Sequence, residues 1–237
     1  MSWCLAWLVM VDAFLRPSEA LELRAFQVLQ PTSEKGLEGT SLHLNPLCLG
    51  KRSKTGELDD GVVLQRPWIA SAVAALARVR RPMQPLFGPT LVEMRRAFLK
   101  AAVHSGLGGK RPCLYMGRHS GASLMIAEQK GNLADVKKRG RWKTDSSVRR
   151  YEKSGLLQKT WLELAPTDQR SCKRAAARLP RRLEQLAREG VLNRSERNKP
   201  PSSLTCSEAP LESLVPSSAA AAHVTALTPC KDQAAMC

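Results

Sequence analysis

The sequence predicts an α+β protein: a mostly helical domain with a small antiparallel sheet, followed by a disordered tail. Two long segments, PWIASAVAALARV from Pro67 and PTLVEMRRAFLKAAV from Pro89, space their apolar residues as amphipathic helices do. Short segments between residues 26 and 65 instead alternate apolar and polar residues, as half-buried strands do. Beyond Val191 the sequence turns to Pro, Ser and Ala without periodicity, so residues 195–237 are predicted to be disordered.

The N-terminal part is predicted to hold two helices and three strands. Residues 3–15 are apolar enough for a buried helix. Pro17 suits the first turn of a second helix, about 17–24, where Glu19 lies near the positive end of the helix dipole. The lysine-rich segment KRSKTGELDDG separates the last two strands, which predicts a hairpin. The strands are expected around Phe26 to Leu29, around Leu42 to Leu44, and at 61–65.

The remainder is predicted to be helical, with a glycine-containing loop at 104–112. Asn132 can cap a helix N-terminus, and Asp135 three residues later completes a capping box. The two long helices are expected to bury one face each, formed by Ile69, Val73 and Leu76 and by Leu91, Met94 and Phe98. Further helices are predicted near 119–127, 132–138, 145–151, 155–164 and 168–190, the last interrupted or kinked at Pro180.

The charge of the chain indicates a polyanionic partner. The 237 residues include 37 Lys and Arg against 21 Asp and Glu, a formal net charge of +16. Residues 195–237 hold three basic and four acidic residues, so the preceding 194 carry 34 basic and 17 acidic ones. A folded body of net charge +17 favours nucleic acid as the partner.

Cysteine usage and the apolar start favour an intracellular protein that is not bound to a membrane. The seven cysteines are scattered and form no CxxC pair, which disfavours a zinc site or a disulfide framework. The start, MSWCLAWLVMVDAFL, lacks the basic leader of a signal peptide and contains Asp12. No apolar run reaches the roughly 18 residues that cross a membrane.

Three separated segments carry side chains suited to phosphate chemistry. The transition state of a phosphodiester reaction spreads negative charge over oxygens, and fixed cations stabilise it. Arginine is always charged and donates two hydrogen bonds in one plane. The segments LRPSEAL, YMGRHSGAS and GRWKTDSSVRRY contribute Arg16 and Glu19, Tyr115 and Arg118, and Trp142 and Tyr151.

The order of these residues resembles the catalytic domain of tyrosine recombinases, the phage-integrase-like enzymes. An arginine, a hairpin lysine, [H/Y]xxR, and G-x-W followed nine residues later by tyrosine occur in that sequence. RHSGAS and GRWKTDSSVRRYEK look most like recombinases of DIRS and Crypton mobile elements. The resemblance covers about residues 3–165 and implies a catalytic domain at 1–190, without the N-terminal domain that completes the family's DNA clamp.

The resemblance implies DNA cleavage and rejoining, as in site-specific recombination or integration, through a 3′-phosphotyrosine intermediate. It implies no metal or nucleotide cofactor. Expected partners are double-stranded DNA and other protomers, which form a tetrameric synapse in the family. The expected location is the nucleus in a eukaryote, and the nucleoid or cytoplasm otherwise.

The resemblance also assigns roles to single residues. Tyr151 attacks the phosphate, Arg16 and Arg118 clamp it, and the Trp142 indole donates to a non-bridging oxygen. Glu19 either accepts a hydrogen bond from a catalytic neighbour or serves only as helix N-terminal charge, and His119 is assigned structural support. A hairpin lysine protonates the leaving 5′ oxygen, for which Lys54 is the first choice and Lys51 the rival.

One departure from the family pattern leaves a second function open. Tyr115 stands where most members have histidine, and tyrosine is a poor acid–base group near neutral pH. Together with the missing clamp domain, this favours as an alternative a weak or inactive DNA-binding remnant of a recombinase. A type IB topoisomerase fits the RHSGAS and GRW motifs less well, and a general RNA-binding protein is disfavoured because an aromatic content of 5% offers few rings for base stacking.

The basic segment at 137–153 is expected to bring DNA to Tyr151. It contains eight Lys or Arg residues among seventeen. Neutralising about eight phosphates predicts a log–log salt slope of roughly −7 for binding.

Overall fold

The computed structural model describes residues 2–44, 46–50, 60–110, 112–128, 132–149, 151 and 154–189. This part of the chain is mostly helical with a small antiparallel sheet, as the sequence predicts. The predicted disordered tail at 195–237 lies outside the described residues. The helices are α1 (Ser2–Asp12), α2 (Pro17–Glu22), α3 (Pro67–Arg78), α4 (Leu91–His104), α5 (Met116–Ala127), α6 (Leu133–Gly140), α7 (Ser146–Arg149), α8 (Ser154–Leu162) and α9 (Pro166–Arg188).

The sheet has three short antiparallel strands in sequence order: β1 (Val28–Leu29), β2 (Ser41–Leu44) and β3 (Asp60–Val63). The strands are short because the alternating apolar segments are short. Strands β2 and β3 pair as the predicted hairpin, with Leu42 opposite Val62 and Leu44 opposite Asp60. Both candidate lysines, Lys51 and Lys54, lie outside the described residues.

Helix α1 lies at the centre of the main core because it is apolar on nearly every side. Leu5, Val9 and Met10 on α1 are fully buried. The helix packs against α3 and α5, and the inward side chains of the sheet join the same core. Helix α3 buries Ile69 and the rest of its predicted face against this core, as the sequence predicts.

Two sequence predictions about helices differ from the structure. Leu91 was expected on the buried face of α4 but is 50% exposed, because it is the first residue of that helix and precedes the turn that buries Met94. Helix α9 runs through Pro180 without the interruption that was one of the two predicted outcomes at this residue. Burial of Leu183 and Leu186 in the C-terminal part of α9, which packs on α3, offsets the hydrogen bond that proline removes.

A second, smaller cluster of buried residues lies beside the main core. Phe14, in the turn after α1, contributes to it together with residues of α5, α6 and α7 and Tyr151. Gly121 makes the contact between α1 and α5 possible, since a Cβ there would lie 2.0 Å from the Val11 carbonyl oxygen. None of the described helices combines the length and apolar character needed to cross a membrane.

Candidate active site

The carboxylate of Glu19 forms ion pairs with three arginine side chains. Glu19 is the third residue of α2, and its Oε2 accepts from the Arg16 backbone N–H at 2.8 Å while its Oε1 pairs with the Arg16 guanidinium. Arg141 Nη2 lies 2.8 Å from Glu19 Oε2, and Arg118 Nη1 lies 3.7 Å from it. Burial alone would raise the pKa of Glu19, but Arg141, the Arg16 backbone and the Arg16 and Arg118 guanidinium groups together lower it. Glu19 is therefore ionised at neutral pH.

Arg118 is fully buried beneath the Trp142 ring. Its two terminal nitrogens donate to the carbonyl oxygens of Phe14 and Gly140. The guanidinium carbon lies 4.6 Å from the Trp142 ring centroid. Burial lowers the pKa of Arg118 to about 10, against the opposing effect of Glu19, so the group stays cationic at neutral pH. Its buried Nε has no hydrogen-bond partner among the described residues.

Tyr151 packs against the same tryptophan. The Trp142 and Tyr151 ring centroids are 5.1 Å apart, and Tyr151 is only 4% exposed. The Tyr151 hydroxyl makes a hydrogen bond with Nδ1 of His119. Tyr115 packs against His119, with the two ring centroids 4.8 Å apart. His119 therefore lies between Tyr115 and the Tyr151 hydroxyl in this chain of contacts.

Arg141 is a site residue that the sequence analysis missed. It caps the C-terminus of α6 with a left-handed backbone, φ 54°, and only 6% of its side chain is exposed. Besides Glu19, it pairs through Nε with the Asp60 carboxylate at 3.3 Å. Asp60 begins β3, so Arg141 ties the base of the hairpin to the site. The sequence signal that could have identified Arg141 was its position next to Trp142 in the G-R-W motif.

Asp12 is a second residue that the sequence analysis gave no role, and in the structure it connects several elements. Its carboxylate accepts from the Gln65 backbone N–H and from Arg66 Nη1, each at 2.8 Å, and is not exposed. Its backbone carbonyl accepts from Arg139 at 2.6 and 3.0 Å. These bonds join α1 to the end of the sheet and to α6. A single acid in an otherwise apolar helix was the sequence signal.

Backbone strain is concentrated around the buried arginine and its carboxylate. Among the described residues, two other than glycine have positive φ, Phe14 at 51° and Arg141 at 54°. The first presents its carbonyl to Arg118 and the second its guanidinium to Glu19. Residues held in this region cost of order 1–3 kcal/mol each and persist where surrounding contacts fix them, which happens most often at functional sites.

The basic segment at 137–153, which is expected to bring DNA to Tyr151, is only partly exposed in the structure. Arg139 and Arg141 are engaged inside the protein, and Lys137 Nζ lies 2.5 Å from an Asp145 carboxylate oxygen. The side chains of Arg139 and Arg141 are 10% and 6% exposed, so neither reaches a phosphate without breaking these pairs. Arg150 and Lys153 lie outside the described residues. Within the described residues of this segment, the basic side chains classed as exposed are Lys138, Lys143 and Arg149.

Four of the six predicted site residues therefore lie in one continuous set of contacts. The set runs from Arg16 through Glu19 to Arg118, then through Trp142 to Tyr151. Tyr115 is one contact further away, and the position of Lys54 is not described. Within the described ranges, no group of three or more His, Cys, Asp or Glu side chains is arranged to hold a metal ion. No protein-family model, curated protein or solved structure matches the chain.

Proposed function

We propose that the chain is the catalytic domain of an enzyme that cleaves and rejoins DNA strands through a covalent link to Tyr151. The Tyr151 hydroxyl attacks the scissile phosphorus, forms a 3′-phosphotyrosine and releases a 5′-hydroxyl. Rejoining to another strand gives site-specific recombination or integration. DNA is the substrate, and further protomers of the same chain are the expected partners on it.

The observation that carries this proposal is the convergence of cations and tyrosine from distant parts of the sequence. Arg16 and Arg118 share the Glu19 carboxylate although 102 positions separate them in the sequence. Trp142 contacts both Arg118 and Tyr151. Two guanidinium groups that contact a phosphate stabilise the charge of a phosphoryl transition state.

The arrangement also indicates what DNA binding has to change. The Trp142 ring covers Arg118, so a phosphate contacts this guanidinium only after the ring shifts. The two terminal nitrogens of Arg118 already donate to backbone carbonyl oxygens. The Arg118 Nε–H is therefore the donor that can form a hydrogen bond to a phosphate oxygen. Arg16, whose side chain is 18% exposed, is reachable without such a shift. We therefore assign Arg16 the first phosphate contact and Arg118 the later one.

The two tyrosines of the chain provide a matched test of the nucleophile. DNA with a nick next to the cleavage position traps the covalent intermediate, because the short 5′-hydroxyl fragment diffuses away. We expect wild-type protein to form a phosphotyrosyl adduct and Tyr151→Phe to form none. Tyr115→Phe makes the same atomic change but keeps the Tyr151 hydroxyl, and we expect it to form the adduct, at a reduced rate. An adduct that persists in Tyr151→Phe would refute the assignment of the nucleophile.

A second candidate function is a DNA-binding remnant without catalysis. The complete burial of Arg118 and the 4% exposure of Tyr151 favour it, because both side chains are withdrawn from a substrate at the surface. It predicts salt-dependent DNA binding by wild-type protein with no adduct on nicked DNA. The same trapping experiment therefore separates the two functions.

A further inference from the structure

A histidine assigned to structural support lies against the hydroxyl of Tyr151. His119 is on α5, and its Nδ1 is in hydrogen-bonding contact with Tyr151 Oη. The two ring centroids are 5.4 Å apart. Because Tyr151 is 4% exposed, bulk water has little access to the phenol. The reacting oxygen of the proposed nucleophile thus has an imidazole nitrogen as a direct neighbour.

The chemistry of imidazole suits this position. A phenol has an ordinary pKa of about 10 and must lose its proton to become a strong nucleophile. Imidazole has an ordinary pKa of about 6.5, so its unprotonated nitrogen is an acceptor near pH 7. The other aromatic neighbour, Trp142, offers an indole N–H that only donates.

The position of His119 also matters because Tyr115 stands where most members of the family have histidine. Tyr115 immediately precedes α5, and His119 follows one helical turn later on the same side. Tyrosine as a residue type is a poor general base near neutral pH. The chain therefore carries its imidazole one turn away from the family position, where it meets the nucleophile directly.

We propose, on the premise that Tyr151 is the nucleophile, that His119 is its general base. As the bond between Tyr151 Oη and phosphorus forms, the phenolic proton passes to His119 Nδ1. The bond between phosphorus and the 5′ oxygen breaks, and this oxygen takes a proton from a general acid, for which Lys51 and Lys54 are the candidates. In rejoining, the 5′-hydroxyl gives its proton back to that same lysine and attacks phosphorus, the bond between phosphorus and Tyr151 Oη breaks, and His119 returns its proton to Oη.

The test compares substitutions that keep or remove the hydrogen bond. In His119→Asn the side-chain amide can still bond to the Tyr151 hydroxyl but cannot take its proton. We expect this variant to bind nicked DNA as wild type does and to form the adduct roughly 10²–10³-fold more slowly in a single turnover. His119→Ala is expected to be equally slow, and added imidazole is expected to accelerate it at least several-fold.

A second DNA substrate tests whether His119 acts as a general base or as a general acid. DNA with sulfur in place of the bridging 5′ oxygen needs no general acid, because a thiolate is a good leaving group. We expect the His119 variants to stay slow on this DNA. Near-wild-type cleavage by His119→Asn, failure of imidazole to accelerate His119→Ala, or recovery on the sulfur substrate would each overturn the proposal. Absence of an adduct with wild-type protein would instead refute the proposed function, and this inference with it.

Discussion

At the scale of single residues, the site depends on one ionised carboxylate among several cations. Glu19 contacts Arg16, Arg118 and Arg141, and 11% of its side chain is exposed. Without Glu19, three guanidinium groups would face one another in a partly buried space. Buried charges are tolerated when paired and are costly when a partner is removed. Glu19 thus does more than supply helix N-terminal charge, which is the role that the sequence alone left equally open.

The substitution Glu19→Gln should therefore destabilise the protein strongly. We expect the free energy of unfolding at pH 7 to fall by about 3 kcal/mol, since the arginines lose their shared counter-charge. Urea denaturation followed by circular dichroism measures this change. Glu22→Gln, on the exposed side of the same helix, is the control and should alter stability by no more than about 0.5 kcal/mol. Equal effects of the two substitutions would contradict the role given to Glu19.

The pH dependence of this effect follows from the lowered pKa of Glu19. The unfolded chain has an ordinary glutamate pKa of about 4.3. The stabilisation is therefore complete above about pH 4.3 and is lost as pH falls through the lower folded pKa. We expect the stability difference between wild type and Glu19→Gln to stay constant from pH 7 to about pH 5 and to shrink in more acidic solution. A difference independent of pH down to pH 3 would not fit.

At the scale of elements, the contact between α1 and α5 positions Arg118. Helix α5 carries Gly121 where it crosses the end of α1, and the next turn of the chain presents the Phe14 carbonyl to Arg118. A Cβ at 121 would lie 2.0 Å from the Val11 carbonyl oxygen and 2.7 Å from the Phe14 ring. The backbone atoms cannot yield as a flexible side chain would, so the separation of the two helices depends on this glycine.

The substitution Gly121→Ala is expected to lower the free energy of unfolding by about 2 kcal/mol, because overpacking forces the two helices apart. Gly109→Ala is the matched control, since a Cβ there meets nothing within 4 Å, and it should change stability by no more than about 0.5 kcal/mol. Urea denaturation of both variants measures the difference. If Gly121→Ala were as stable as the control, the helix contact would not be as close as described.

At the scale of the whole molecule, the positive charge divides into an internal and an external part. Internal arginines such as Arg139 and Arg141 hold α6 against α1, α2 and the sheet. External residues such as Lys138, Lys143 and Arg149 are exposed beside the site. Only the external part can exchange counterions for DNA phosphates. The net charge of +16 therefore overstates the charge available for binding.

The salt dependence of the proposed DNA binding should report this external part. Replacing Lys138, Lys143 and Arg149 together by Gln is expected to reduce the magnitude of the log–log salt slope by about 2 to 3.

The control replaces three exposed arginines of α9, Arg170, Arg174 and Arg178, which removes the same charge from another surface. We expect the control to change the slope by less than about 1. Equal changes from both sets would place the DNA contact elsewhere or spread it over the whole protein. Fluorescence anisotropy at several salt concentrations measures the slopes.

The amphipathic helices and the hairpin were predictable because their signals are local. The spacing of Ile69, Val73 and Leu76 specifies the buried face of α3, and Asn132 with Asp135 specifies the start of α6. Helix ends and long-range ion pairs were less predictable. The exposure of Leu91 and the continuity of α9 at Pro180 depend on what packs against each helix, which no local pattern encodes.

The sequence by itself determined which residue types are available: arginines, tryptophan and tyrosine in a fixed order, on elements whose type the periodicity predicts. Only the tertiary structure decided which of them meet. It placed Arg118 under Trp142, gave Arg141 to Glu19 and Asp60, and set His119 against Tyr151. The physical reason is that charge pairing and close packing act between side chains far apart in the sequence, so their outcome depends on how the helices cross.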